Sequence, residues 1–127
     1  MHNVHFNNLG FIPASHENPS DPGVLKKVLF GPGELVAGTV QMVNWAKLLP
    51  GKSFAAHYHE DMDEVFVMIS GEVEMTVNHE KKVLGRGDAV LVPLCHVHSM
   101  KNLTEDNVEY IVFGISRGKN GKTVVLK

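Results

Sequence analysis

The chain carries His57-Tyr-His59, an acid at Glu64 and a further histidine at His98. All four side chains are of types that ligate transition metals. Side chains alternate faces along a strand, so His57 and His59 leave one face together, with Tyr58 on the other. Glu64 opens the run Glu64-Val-Phe-Val-Met-Ile69, whose β-branched and aromatic content reads as a strand. The polar link Glu60-Asp61-Met62-Asp63 is expected to pair this strand antiparallel with the first and bring Glu64 beside the two imidazoles. His98 comes from a third strand, beyond Pro93. Such a set can surround a cation and leave coordination positions open, as a working metal needs and a closed structural zinc does not. Three nitrogens and one oxygen suit one divalent transition metal per chain: Fe, Mn, Ni, Co, Cu or Zn. Ca and Mg prefer all-oxygen ligands.

The spacing extends beyond the four residues. Gly51, His57, His59, Glu64 and Gly71 form one group, and Gly87, Pro93, His98 and Asn102 another. This pair of motifs resembles that of the cupin superfamily. Cys95 stands where the family usually has glycine, a departure in a turn rather than in a ligand. The 15 residues 72–86 between the motifs are short, as in small single-domain cupins. Asp63 is adjacent to Glu64, and the family tolerates either spacing after the second histidine. The gap to Gly71 favours Glu64, which leaves Asp63 as a solvated or supporting acid.

The resemblance implies an all-β fold, the cupin jelly-roll (double-stranded β-helix) barrel, with metal inside held by His57, His59, Glu64 and His98. It also implies a homodimer in which residues 1–30 dock on or exchange with the partner. For function it implies a metal-dependent enzyme of dioxygenase type acting on a small organic substrate, with Glu64 remaining bound or serving as general base. Two alternatives stay open. A redox-inert ion could act as a Lewis acid in an isomerase or lyase, with His96 moving a proton. The barrel could instead bind a sugar or small metabolite without turnover.

The remaining chain supplies elements to carry these residues. Residues 1–23 are polar and turn-rich and read as an arm with little regular structure, and 24–127 as a single barrel domain. Strands are expected over 24–30, 39–48, 53–59, 64–70, 72–77, 81–84, 89–92, 96–102, 108–116 and 123–126, with turns at Asn78-His79, Gly85-Arg-Gly-Asp88 and Gly118-Lys-Asn-Gly121. Alternation from Glu64 sends Phe66 and Met68 inward and Val65, Val67 and Ile69 outward. It also puts His96, Met100 and Asn102 on the His98 face, where His96 is a candidate catalytic residue or a wall histidine. Phe66, Met68, Met100, Tyr110 and Phe113 are candidates for an apolar substrate wall or for plain core. His2, His5, His16 and His79 lie outside the motifs and read as surface or arm residues, and Cys95 as a small buried hydrophobe.

Composition agrees. At 127 residues and 43% hydrophobic, the chain supports one compact domain. A formal net charge of −2 without a basic block argues against nucleic acid and anionic membrane as partners. Arg86 and Arg117 are the only arginines, too few and too far apart in sequence to suggest a phosphate clamp. One cysteine allows no internal disulfide, the N-terminus lacks the pattern of a signal peptide, and no run is apolar enough to span a membrane. A cytoplasmic protein is expected.

Overall fold

A computed structural model of the chain describes residues 4–31, 40–116 and 122–126. His2, Arg117 and the turn expected at Gly118-Lys-Asn-Gly121 lie outside the described residues. A short 3-10 turn at Phe6–Asn8 is followed by β1 (Ile12–Pro13), β2 (Val24–Phe30), β3 (Val40–Leu48), β4 (His57–His59), β5 (Met62–Ser70), β6 (Glu72–Val77), β7 (Glu80–Gly85), β8 (Ala89–Val92), β9 (His98–Asn102), β10 (Val108–Ser116) and β11 (Thr123–Val125). Two sheets face each other, six-stranded in the order β1-β2-β3-β10-β5-β8 and five-stranded in the order β11-β4-β9-β6-β7. All pairings are antiparallel. This is the jelly-roll barrel.

The strand interiors alternate as a half-buried sheet requires. Along β5, Glu64, Phe66 and Met68 are buried, while Val65 and Val67 are only partly so. Leu48, Met68, Val73, Met75, Met100 and Val108 fill the space between the sheets. The β6–β7 hairpin turns through Asn78 and His79 at φ 45° and 75°, the positive pair that a two-residue turn needs to match the twist of its strands.

One expectation is overturned. β5 does not pair with β4; the two lie in opposite sheets. The link at Glu60-Asp61 is a passage between sheets and not a hairpin, so Glu64 meets the histidines across the barrel interior rather than along a ladder. Gly51, Gly71 and Gly87 stand at similar passages, each with positive φ (67°, 80° and 85°), a conformation glycine adopts without a Cβ penalty. Gly71 also has no room for more, since a Cβ there would lie 2.5 Å from Val108 Cγ2.

Candidate metal centre

The four sequence-predicted ligands converge. His57 and His59 come from β4, His98 from β9 directly opposite His57, and Glu64 from β5 in the facing sheet. One ligand atom from each lies within 4.8 Å of the others, and none of the four residues is more than 6% exposed. His59 Nε2 and His98 Nε2 are 2.7 and 3.0 Å from Glu64 Oε1. Burial by itself would raise the Glu64 carboxyl, but the two imidazoles outweigh it and hold it at about 2. Burial also drives His57 down, to about 3, with His16 and His98 adding to the effect.

The donor set fits a transition metal. His57 Nδ1 and His98 Nδ1 each face the carbonyl two residues earlier, on Ala55 and His96. An Nδ1–H donated there leaves the Nε2 lone pair for a cation. His59 Nδ1 lies 2.9 Å from the Thr123 hydroxyl of β11. The His59 and His98 Nε2 atoms converge on Glu64 Oε1, where a divalent cation could be held among them.

His57, His59 and Glu64 form part of the wall of a cavity of about 420 Å³, with His98 behind them, a volume ordinary for a small-molecule site. Phe54, Met62, Phe66, Tyr110 and Val112 give it an apolar surface, and Thr123 sits at the β11 side. Of the expected substrate wall, Phe66 and Tyr110 line it. Met68 and Met100 are core, and the alternation of β10 turns Phe113 to the other face from Val112. His96 precedes β9, its Nδ1 is 3.0 Å from the Leu94 carbonyl, and it is not among the lining residues. Asp63 points away, accepting from the Leu94 amide at 2.8 Å. Asn102 is a tie: its amide donates to the carbonyls of Leu48, Leu49 and Asp106, and its oxygen accepts from Thr104.

Two expectations for single residues fail. Cys95 is exposed, not buried, and holds φ 62°, with Sγ 3.5 Å from the Glu60 carbonyl. The turn between β8 and β9 keeps the backbone that glycine would adopt and presses the side chain outward. His16 is not a plain arm residue. Its ring stacks on His57 at 4.2 Å between centroids and 21° between planes, and it lines the cavity with Ala14 and Ser15. Glu17 fastens it there. Its Oε2 is 3.0 Å from His16 Nδ1 and accepts from Ala55 N at 2.8 Å, while Oε1 accepts from Gly23 N at 2.6 Å. The sequence signal for this was only a His-Glu pair outside any periodic run.

Comparison with known proteins follows the same line. Residues 44–114 match the model of the Cupin domain family. An uncharacterized protein of Aquifex aeolicus is 35% identical over 71 residues, 55% of this chain and 59% of that protein. The mannose-1-phosphate guanylyltransferase ManC of Salmonella typhimurium is 29% identical over 66 residues, 52% of this chain and 14% of the enzyme. The chain thus spans only part of the length of the curated relatives it matches. Among solved structures, a predicted oxalate decarboxylase of Thermotoga maritima superposes with a TM-score of 0.78 at 21% identity, covering 89% of this chain and 97% of that one.

Proposed function

The chain belongs to the cupin domain family, and we propose that it is a metal-dependent enzyme, an oxidoreductase of dioxygenase type acting on a small organic substrate inside the barrel. The observation that carries this reading is a buried three-histidine, one-carboxylate cluster set in the wall of a cavity large enough for a substrate. One divalent transition metal held by His57, His59, Glu64 and His98 would supply Lewis-acid or one-electron redox chemistry.

The chain's own residues do the rest. The Ala55 and His96 carbonyls fix the His57 and His98 rings, so no reorganisation is needed when a ligand binds. His96 acts through that carbonyl and not through its own ring. Glu64, inward on the cavity wall, is placed to hold the metal or, swung off it, to take a proton from a substrate lying beside it. Phe54, Met62 and Phe66 keep bulk water from that proton. The described residues from 24 onward form the working barrel, and Ala14, Ser15 and His16 of the arm complete its cavity wall.

We also propose a homodimer and a cytoplasmic location. Outward Val65, Val67, Ile111 and Phe113 form an apolar face on the six-stranded sheet, with Ile115 37% exposed beside them; an apolar outer face favours a second layer. No helix among the described residues is long and apolar enough to cross a membrane. Sedimentation at micromolar concentration checks the assembly, and a monomer would end that part of the proposal.

The test of the activity is elemental analysis of chelator-free protein beside His98→Ala, followed by oxygen-uptake assays over small organic acids and enols. About one equivalent of Fe, Mn or Cu, absent from the variant, with substrate-dependent oxygen uptake is the expected result. Zn or Ni without uptake would overturn the oxidoreductase in favour of Lewis-acid chemistry or binding. No metal after reconstitution would overturn the metal site itself.

A further inference from the structure

On the cavity wall, away from the histidine and glutamate cluster, one charged residue has no counterpart among the described residues. Val24, Lys26 and Val28 share the inward face of β2 and line the cavity. Lys27 turns the other way and donates to the Phe6 carbonyl at 2.8 Å. Lys26 is the single lysine or arginine among the described lining residues. Among the described residues no carboxylate or carbonyl pairs with its ammonium. A half-buried cation without a partner is costly to hold, and burial pushes the Lys26 ammonium below its usual range.

Its neighbours are polar in a directed way. Lys26 stands opposite Ala46, which stands opposite Tyr110 on its other side. The small Ala46 side chain therefore lies between the Lys26 and Tyr110 side chains, which both line the cavity. One step along the sheet, Val28 stands opposite Asn44. Asn44 is 4% exposed and lines the cavity; its Nδ2 lies 3.0 Å from Met42 Sδ, and its buried Oδ1 has no hydrogen-bond partner among the described residues. A buried amide oxygen left unpaired costs about 1–3 kcal/mol; it is closed to the cavity as the side chain stands, and a turn of the Asn44 amide toward the lumen would give it a hydroxyl partner.

We propose that the cavity takes a small organic hydroxy acid, with its carboxylate on Lys26 and a hydroxyl on Asn44. The proposal rests on the reading of the cavity as a substrate site and names the substrate class. A single ammonium matches one carboxylate group. A phosphate ester concentrates two charges on one group and would call for more cationic donors than the described lining residues hold. Tyr110 offers its hydroxyl as a second donor to the acid at the same level.

The experiment is calorimetric titration of the full chain, zinc-loaded and metal-free, with lactate, malate and gluconate beside lactamide, malamide and sorbitol. Succinate and inorganic phosphate complete the set. At least one acid is expected to bind about tenfold or more tighter than its uncharged counterpart. That preference should vanish in Lys26→Met and return in Lys26→Arg, with metal content the same in all three proteins. Asn44→Leu should erase the advantage of malate over succinate. No acid preferred by the wild type, or a preference that survives in Lys26→Met, would overturn the anchor. Phosphate binding more tightly than every acid would overturn the choice of a carboxylate. Metal content is read separately. Bound metal with binding indifferent to Lys26 would remove the anchor and leave the metal site. Lys26-dependent binding in a protein that takes up no metal would do the reverse.

Discussion

His57 and His98 are held by the same device, a carbonyl two residues back that accepts from Nδ1. On the His57 side the device reaches further, because Ala55 also donates its amide to Glu17, and Glu17 holds His16 against the His57 ring. Burial would raise the Glu17 carboxyl, but hydrogen bonds from His16, Ala55 and Gly23 bring it down from an ordinary 4.5 to about 2. A carboxyl with a lowered native pKa adds stability above its unfolded value and loses it as pH falls through the native one. The Glu17 contribution is therefore full at pH 7, begins to fade below about 4.5 and is gone near 2. Glu17→Gln is expected to lower unfolding stability at pH 7 by on the order of 2 kcal/mol. Urea unfolding should show a smaller difference between the two proteins at pH 3; an equal difference at both values would refute the assignment.

At the scale of elements, the barrel depends on short passages where the chain changes sheets. Gly71 joins β5 to β6 at φ 80°, with Val108 packed against its Cα. Gly71→Ala adds both left-handed strain and an overlap with a β-branched side chain that cannot swing aside. A loss of about 2–3 kcal/mol in chemical denaturation is expected, with metal stoichiometry unchanged in the folded fraction. The passage from β8 to β9 shows the converse. Cys95 already occupies positive φ, its side chain is exposed, and the thiol makes only a weak contact with the Glu60 carbonyl, while the amide bond to the His59 carbonyl does not depend on the side chain. Cys95→Gly is expected to raise stability by about 0.5–1 kcal/mol, because the relief of strain exceeds the added freedom of the unfolded chain. A fall in melting temperature would show that the thiol contact matters more than the backbone.

For the whole molecule, the candidate metal site bridges the two sheets: His57, His59 and His98 come from one and Glu64 from the other. A cation bound there ties the sheets together and binds the folded state alone, so it stabilises by mass action. At a free concentration about a hundred times Kd, zinc or manganese should add about 2.7 kcal/mol. The melting temperature should rise with added metal and fall with chelator, and His59→Ala should not respond. A His59→Ala protein stabilised as much as wild type would remove that residue from the ligand set.

The sequence by itself singled out which residues could hold a metal, through the spacing they share with the cupin motifs, and which faces they share. Period-two alternation put His57 with His59 and Glu64 with Phe66 and Met68, and the spacing to Gly71 separated Glu64 from Asp63. These are local properties of a strand and need no knowledge of its neighbours. Tertiary structure alone decided the rest. Whether β5 pairs with β4 or crosses to the other sheet depends on competition among all strands for partners, and a polar link such as Glu60-Asp61 is compatible with either outcome. His16 and Glu17 lie in an aperiodic arm, so nothing local could bring them to His57; hydrogen bonds to Gly23 and Ala55 do so. The inward Lys26 and the unpaired Asn44 oxygen were hidden for a related reason. Their meaning lies in what stands opposite them, and only the closed barrel sets that.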